Sequence, residues 1–412
     1  MSTDQRKKIA ILMITVFIII TSFGITGPVI PAYLESINQG GMASGLIIAS
    51  FAGAHLLFSP LGGKWTDQFG RRKMIIAGLA LLCVGTFLFY STDTLWVLYA
   101  SRVIGGIGDA FLIPAVFAYT ADITTQEQRA KGTGMVTASM SLGLVVGPAL
   151  SIMMSGMDIK LPFLVSAWIT LAAIVFAFFF LKETDPAHLG QANVRDLEDE
   201  ESMSQKIARS TKMPYFIPLI ITFVMSFGLV AYESIFGLVL NDEFSASVTD
   251  IALMCMAIQT VSVLTQLFAV DRLIRRFGEV PVLIAFLCVA MAGFLLAIVA
   301  ETYVMFFAVT LIIFFAMSIL RPVLNILISK MAKGEVGFAM GLSTSYMSIG
   351  NVVGPVSAGL LYDMNMVYPF ILGLSMLLVT ISITIAWYRS SGRKTITTAT
   401  EETIAFEAES RI

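Results

Sequence analysis

The sequence predicts an all-α membrane protein: twelve transmembrane helices in two pseudo-symmetric six-helix bundles. Three observations carry that prediction. Of the 412 residues, 57% are hydrophobic and only 13% charged, more apolar surface than a soluble domain readily hides. The apolar residues fall into twelve runs of about 20 residues, the length that crosses a bilayer. One unusual glycine-bearing helix occurs twice, 207 residues apart, about half the chain.

The first copy of that helix is GMVTASMSLGLVVGPALSI, with Gly134, Gly143, Gly147 and Pro148; the second places Gly341, Gly350, Gly354 and Pro355 at the same spacing. A Gly-x-x-x-Gly pair in an apolar helix lets two backbones approach closely. The Gly-Pro step removes a backbone donor and bends the helix. Other repeats agree. Ser22-Phe23-Gly24 returns as Ser226-Phe227-Gly228, and the loop from Gly63 to Lys73 has a weaker copy from Asp271 to Gly278. Such repetition points to a transporter built from two halves.

The spans run roughly 9–30, 44–64, 73–91, 95–121, 133–155, 161–181, 214–240, 250–270, 280–299, 302–328, 338–361 and 367–388. The first is too long for a signal-peptide core and is a retained helix. This gives an N-terminal bundle over 1–181, a polar linker over 182–213, a C-terminal bundle over 214–389 and a tail over 390–412. The acidic run Asp196–Glu201 reads as hydrated linker. Cys83, Cys255 and Cys288 lie in apolar runs and read as packing residues.

Lys and Arg set the orientation. Of 26 basic residues, 23 fall on one set of span ends, the termini and the linker; the opposite loops hold only Lys160, beside acids such as Glu35, Asp93, Asp242, Glu243 and Asp363. Both termini are therefore expected in the cytoplasm, and the span count is even.

The glycine helix resembles the antiporter signature on the fifth helix of drug–proton exporters of the major facilitator superfamily, except that its closing Gly-Gly is Ser151-Ile152 here. The resemblance covers nearly the whole chain and is nearest to the NorA/Bmr-type multidrug exporters of Gram-positive bacteria. It implies a proton-coupled efflux antiporter of amphipathic drugs, working by alternating access in a bacterial plasma membrane. It implies no cofactor and no enzyme activity. The partners are a small-molecule substrate, protons and the lipid bilayer, with no nucleic acid, and the protein is expected to be a monomer. An exporter of one endogenous metabolite, such as a siderophore or sugar, is the alternative. A nutrient-importing symporter is disfavoured by the signature helix.

The resemblance also implies roles for residues. Gly63, Asp67, Gly70 and Arg71 match the superfamily's loop motif and imply a cytoplasmic gate, with Asp122 and Arg129 as partners. Charges inside the membrane cost about 2.5–3.5 kcal/mol each on insertion scales and normally face a wet cavity. Four stand there: Arg102, Asp109, Glu233 and Arg321. Arg102 heads a sequence similar to the proton-linked fourth-helix motif. Asp109 follows it by seven residues, on the same helix face and about 10 Å further along; it either titrates or simply neutralises the arginine. Glu233 matches a membrane glutamate of the exporters that is associated with proton coupling. A carboxyl withdrawn from water can bind and release protons near neutral pH, and a carboxylate also suits a lipophilic cation. Arg321 matches a tenth-helix arginine, but the aspartate usual three residues earlier is Ser318. Asn351 matches a polar position and suits substrate hydrogen bonding. Phe23, Phe227, Tyr232 and Phe236 suit flat cations by cation–π attraction.

His55 is a lone membrane histidine, either titrating or bonded to backbone. Gln259, Gln266 and Asn325 read as cavity or interhelix hydrogen bonders. No phosphate-cradling Gly-Lys-Ser/Thr loop, metal-ligand cluster or Ser-His-Asp set appears in the sequence.

Overall fold

The computed structural model describes residues 3–154, 156–184, 209–211, 213–332 and 336–389. Asp196–Glu201, the rest of the linker over 185–208 and the tail over 390–412 lie outside the described residues.

The described chain is helical throughout. The first span is α1 (Thr3–Thr26), a 3-10 turn and α2 (Ile30–Ser36). Then come α3 (Gly41–Phe69), α4 (Arg71–Tyr90), α5 (Leu95–Asp122), α6 (Gln126–Met153) and α7 (Leu161–Phe180). The second half repeats the order with α8 (Phe216–Phe244), α9 (Val248–Phe268), a short α10 (Val270–Phe277), α11 (Glu279–Ile298), α12 (Tyr303–Met331), α13 (Val336–Met364) and α14 (Tyr368–Trp387). Several helices outrun the predicted spans, because their polar ends continue the same turns beyond the apolar stretch.

Among the described residues, eleven helices are both long and apolar enough to cross a membrane. The predicted eleventh span, α13, is 29 residues long but falls short on hydropathy. Its glycines and its polar residues, Ser343 to Tyr346, Ser348, Asn351 and Ser357 among them, dilute the apolar content.

The chain forms two compact units. The first holds the helices of the first six spans together with Ser234–Thr260 and Ala358–Asp363. One of its cores gathers Ile9, Leu12, Val16, Ile75, Leu79, Leu112, Val116 and Tyr119 from α1, α4 and α5. The signature glycines pack α6 against α1. A β-carbon on Gly147 would lie 2.6 Å from the Gly24 α-carbon, and one on Gly143 would lie 3.0 Å from the Phe17 carbonyl. Ser151 is buried and donates its hydroxyl to the Ile25 carbonyl, so the departure from Gly-Gly adds a bond at that point. Gly134 has open space where a side chain would go.

The second unit holds the start of α8 up to Glu233, then Val261–Ser357 and the chain from Met364. The glycine packing repeats there. A β-carbon on Gly354 would lie 2.5 Å from the Phe227 carbonyl, and one on Gly350 2.8 Å from that of Phe223. Thus α13 sits on α8 as α6 sits on α1.

Candidate functional site

In the first unit, α3 and α5 touch along their glycines. A β-carbon on Gly106 would lie 2.3 Å from the Phe51 carbonyl, and one on Gly62 2.1 Å from that of Ala110. This close approach sets the register between the helices and brings His55 to Asp109, with Nε2 3.6 Å from Oδ2. Asp109 and Arg102 line one cavity of about 260 Å³, with Phe23, Phe51, Ile113 and the hydroxyls of Ser22, Ser101, Ser166 and Thr170. The two charges therefore share a cavity, as their spacing predicts, but they do not pair. Asp109 faces His55, while the Arg102 guanidinium lies 4.2 Å from the Phe89 ring centre, its Nε buried without a hydrogen-bond partner. The reading of Asp109 as the arginine's neutralising partner is thus replaced by a carboxylate–imidazole pair. Sequence spacing alone has no signal for it, because the partner lies on another helix.

In the second unit, Glu233 is exposed, between buried Tyr232 and Ser234. Arg321 on α12 is near enough to act on its charge, and Arg321 Nη2 lies 3.1 Å from the Met347 sulfur. Ser318 bonds Ser262 at 2.8 Å and the Phe314 carbonyl at 2.6 Å. The aromatic expectations divide. Phe23 is half exposed and lines the first cavity. Tyr232 is 2% exposed and packs with Phe294, Phe306, Phe314 and Phe370, its hydroxyl bonded to Thr310 at 2.6 Å. That ring is core, against the expectation that it meets a substrate. Phe227 and Phe236 are buried as well. Asn351 and Asn325 are partly exposed, as is Gln259; Gln266 is exposed.

At the basic helix ends of the first unit, Arg71 is buried at the start of α4. It reaches Asp67 at 2.9 Å and Asp122 at 2.8 Å, and donates to the Thr66 carbonyl at 3.1 Å. Thr184 donates to Asp122 at 2.9 Å. Gly70, at φ 101°, takes a backbone turn that favours glycine. Arg129 is exposed and forms no ion pair among the described residues, and Gly63 has open space around it; these two do not join the cluster.

The same unit is also tied at the opposite ends. Asp363 accepts from the backbone N–H of Gly41 at 2.7 Å and of Met42 at 2.9 Å, capping the start of α3. Beside it, Gly359 packs on Gly41 so closely that a β-carbon would lie 2.2 Å from the Gly41 carbonyl. Tyr362 donates to Asp242 at 2.8 Å, Ser44 to the Ser234 carbonyl at 2.8 Å, and Asn241 to Glu35. Lys160 lies 2.6 Å from Asp93, which also accepts from Tyr33 at 2.9 Å. Those bonds, the lysine's first, hold the Asp93 carboxyl below the usual carboxylate range. The sequence places these acids in one set of loops but does not indicate that Asp363 caps a distant helix.

The sequence matches the Major Facilitator Superfamily over residues 12–232 and 218–409. It is 34% identical over 399 residues to Multidrug resistance protein 2 of Bacillus subtilis (strain 168), covering 94% of this chain and 96% of that one. It is 28% identical over 379 residues to the Quinolone resistance protein NorA of Staphylococcus aureus (strain COL), covering 92% and 96%. Among solved structures, the human organic anion transporter MFSD10 superposes with a TM-score of 0.67 at 20% identity, covering 93% of this chain and 100% of that one. The nucleoside transporter NupG superposes with a TM-score of 0.72 at 12% identity, covering 92% and 96%. Repeated halves, bilayer-length helices and charges held inside them therefore meet in one statement: the chain belongs to the Major Facilitator Superfamily and is a multi-pass membrane transporter.

Proposed function

We propose that the protein is a proton-coupled antiporter of the bacterial plasma membrane that exports amphipathic drugs by alternating access. The halves 1–181 and 214–389 are its two moving bodies. Its Lys/Arg-rich ends lie in the cytoplasm, with both termini and the linker. The observation that carries this reading is Glu233, a carboxyl inside a membrane helix, exposed between buried neighbours and within electrostatic reach of Arg321. A carboxyl there can hold a proton or neutralise a lipophilic cation, but not both at once. That exclusion is what exchange requires. The inward potential supplies about 2.3 kcal/mol per charge per 100 mV. Drugs are the favoured substrates because the relatives above are named for multidrug and quinolone resistance.

The test is accumulation of ethidium, a fluoroquinolone and tetracycline in cells with and without the protein, followed by pH-driven exchange in proteoliposomes. Competition among these compounds is expected; competition by only one compound favours a dedicated metabolite exporter. Glu233→Gln is expected to fold and to lose pH-driven exchange. Normal proton-coupled transport by that variant would remove Glu233 from the mechanism.

A further inference from the structure

The cluster Asp67, Arg71 and Asp122 has a copy 208 residues on, at Arg275, Glu279 and Lys330. Every charge is reversed. The geometry repeats: Gly278, at φ 79°, starts α11 as Gly70, at φ 101°, starts α4. Lys330 Nζ lies 2.6 Å from Glu279 Oε1, as Arg71 Nε lies 2.8 Å from Asp122 Oδ2. The central residue is buried in both, Arg71 at 4% and Glu279 at 8%. Only the third members differ. Asp67 holds Arg71, whereas Arg275 is exposed and leans 3.8 Å from Asp271.

The reversal changes how each cluster meets the helix dipoles. Anions are stabilised at helix N-termini and cations at C-termini. In the first unit all three charges oppose that rule: Asp67 ends α3, Arg71 starts α4 and Asp122 ends α5. In the second unit all three obey it: Arg275 ends α10, Glu279 starts α11 and Lys330 is in the last turn of α12. The first cluster is held by its ion pairs against the local field; the second is held by its ion pair and by the field together.

We infer that Glu279–Lys330 is a permanent clamp that makes the ninth and tenth spans one body throughout transport, while Asp67–Arg71–Asp122 is the cluster that opens. The inference rests on the antiporter reading and assigns Glu279 and Lys330 as positioning residues for it.

Two measurements test it. The first is amide hydrogen exchange on the wild-type protein, which needs no substrate. The amides of residues 282–286, which begin the hydrogen-bond ladder of α11, are expected to exchange at least about tenfold more slowly than those of 74–78 in α4, because helix starts that satisfy the dipole fray less. Equal or reversed protection overturns the inference. The second uses a background in which Cys83, Cys255 and Cys288 are replaced by Ser. Glu279→Cys with Lys330→Cys, joined by a short bifunctional thiol reagent, is expected to export ethidium at half the background rate or better. Arg71→Cys with Asp122→Cys, joined likewise, is expected to lose most of its export. If the joined 279–330 variant is inactive, the clamp must open in the cycle and the inference fails. It fails too if joining 71 to 122 leaves export unchanged. A background that exports no probe under a proton gradient would sink the antiporter reading instead, and the exchange measurement would still judge the clamp.

Discussion

The charge state of Asp93 reports on its local structure. Lys160 and Tyr33 hold its carboxyl below the usual range, so the folded state binds this proton less readily than the unfolded chain does. The sign follows: its contribution to stability is present above the ordinary carboxylate pKa of about 3.9 and is lost as pH falls through the lower folded value. Asp93→Asn is therefore expected to lower the melting temperature at pH 7, with the gap from wild type closing in acid. A gap that persists unchanged below about pH 3 would assign the effect to packing. At the same scale, Arg102 and Asp109 were legible as cavity residues, because seven helical steps return to one face. The pairing of Asp109 with His55 was not. It depends on Gly106 and Gly62, which bring α5 and α3 together at one register. Tyr232 misled for a related reason. Adjacent residues on a helix point about 100° apart, so neighbouring Glu233 in sequence placed its ring in the core.

Helix packing is where the glycine spacing acts. Gly147 meets the Gly24 backbone at a distance no side chain tolerates, whereas Gly134 meets nothing. Gly147→Val is expected to push α6 off α1 and strip the protein from membranes, or leave it with a melting temperature many degrees lower. Gly134→Ala is expected to behave as wild type, with its helix turn stabilised by about 0.5–1 kcal/mol. Equal tolerance at both positions would mean the motif does not act through close packing. The repeat made this legible in both halves, since Gly354 packs on α8 in the same manner. The Asp363 cap was not legible, because the two N–H donors it accepts from lie more than 300 residues away in the chain. Asp363→Ala leaves the Gly41 and Met42 N–H groups without that partner. Labelling of a cysteine at the otherwise buried Ser44 is expected to rise several-fold in this variant. Unchanged labelling would show that the Gly41–Gly359 contact holds these ends by itself.

At the scale of the whole molecule, each compact unit carries an acid well away from the ends of a membrane helix: Asp109 in the first and Glu233 in the second. On the antiporter reading, their surroundings would set how much charge moves per cycle. Arg102 is engaged with Phe89 and leaves Asp109 to His55, so Asp109 faces an imidazole and not the guanidinium. Ser318, bonded to Ser262 and the Phe314 carbonyl, has no carboxyl to offer. If both sites load a proton, two charges enter while one monovalent cation leaves, and each cycle carries one net charge inward. If only Glu233 loads, the exchange is electroneutral. Reconstituted protein exporting ethidium is accordingly expected to run faster under an inside-negative potential. At 100 mV the driving force on that net charge is about 2.3 kcal/mol. Asp109→Asn is expected to keep pH-driven exchange and lose the voltage response, and His55→Gln to weaken that response. A wild-type rate that ignores voltage, or an Asp109→Asn variant that still responds, would make the first unit's acid a structural partner and leave Glu233 as the sole proton carrier.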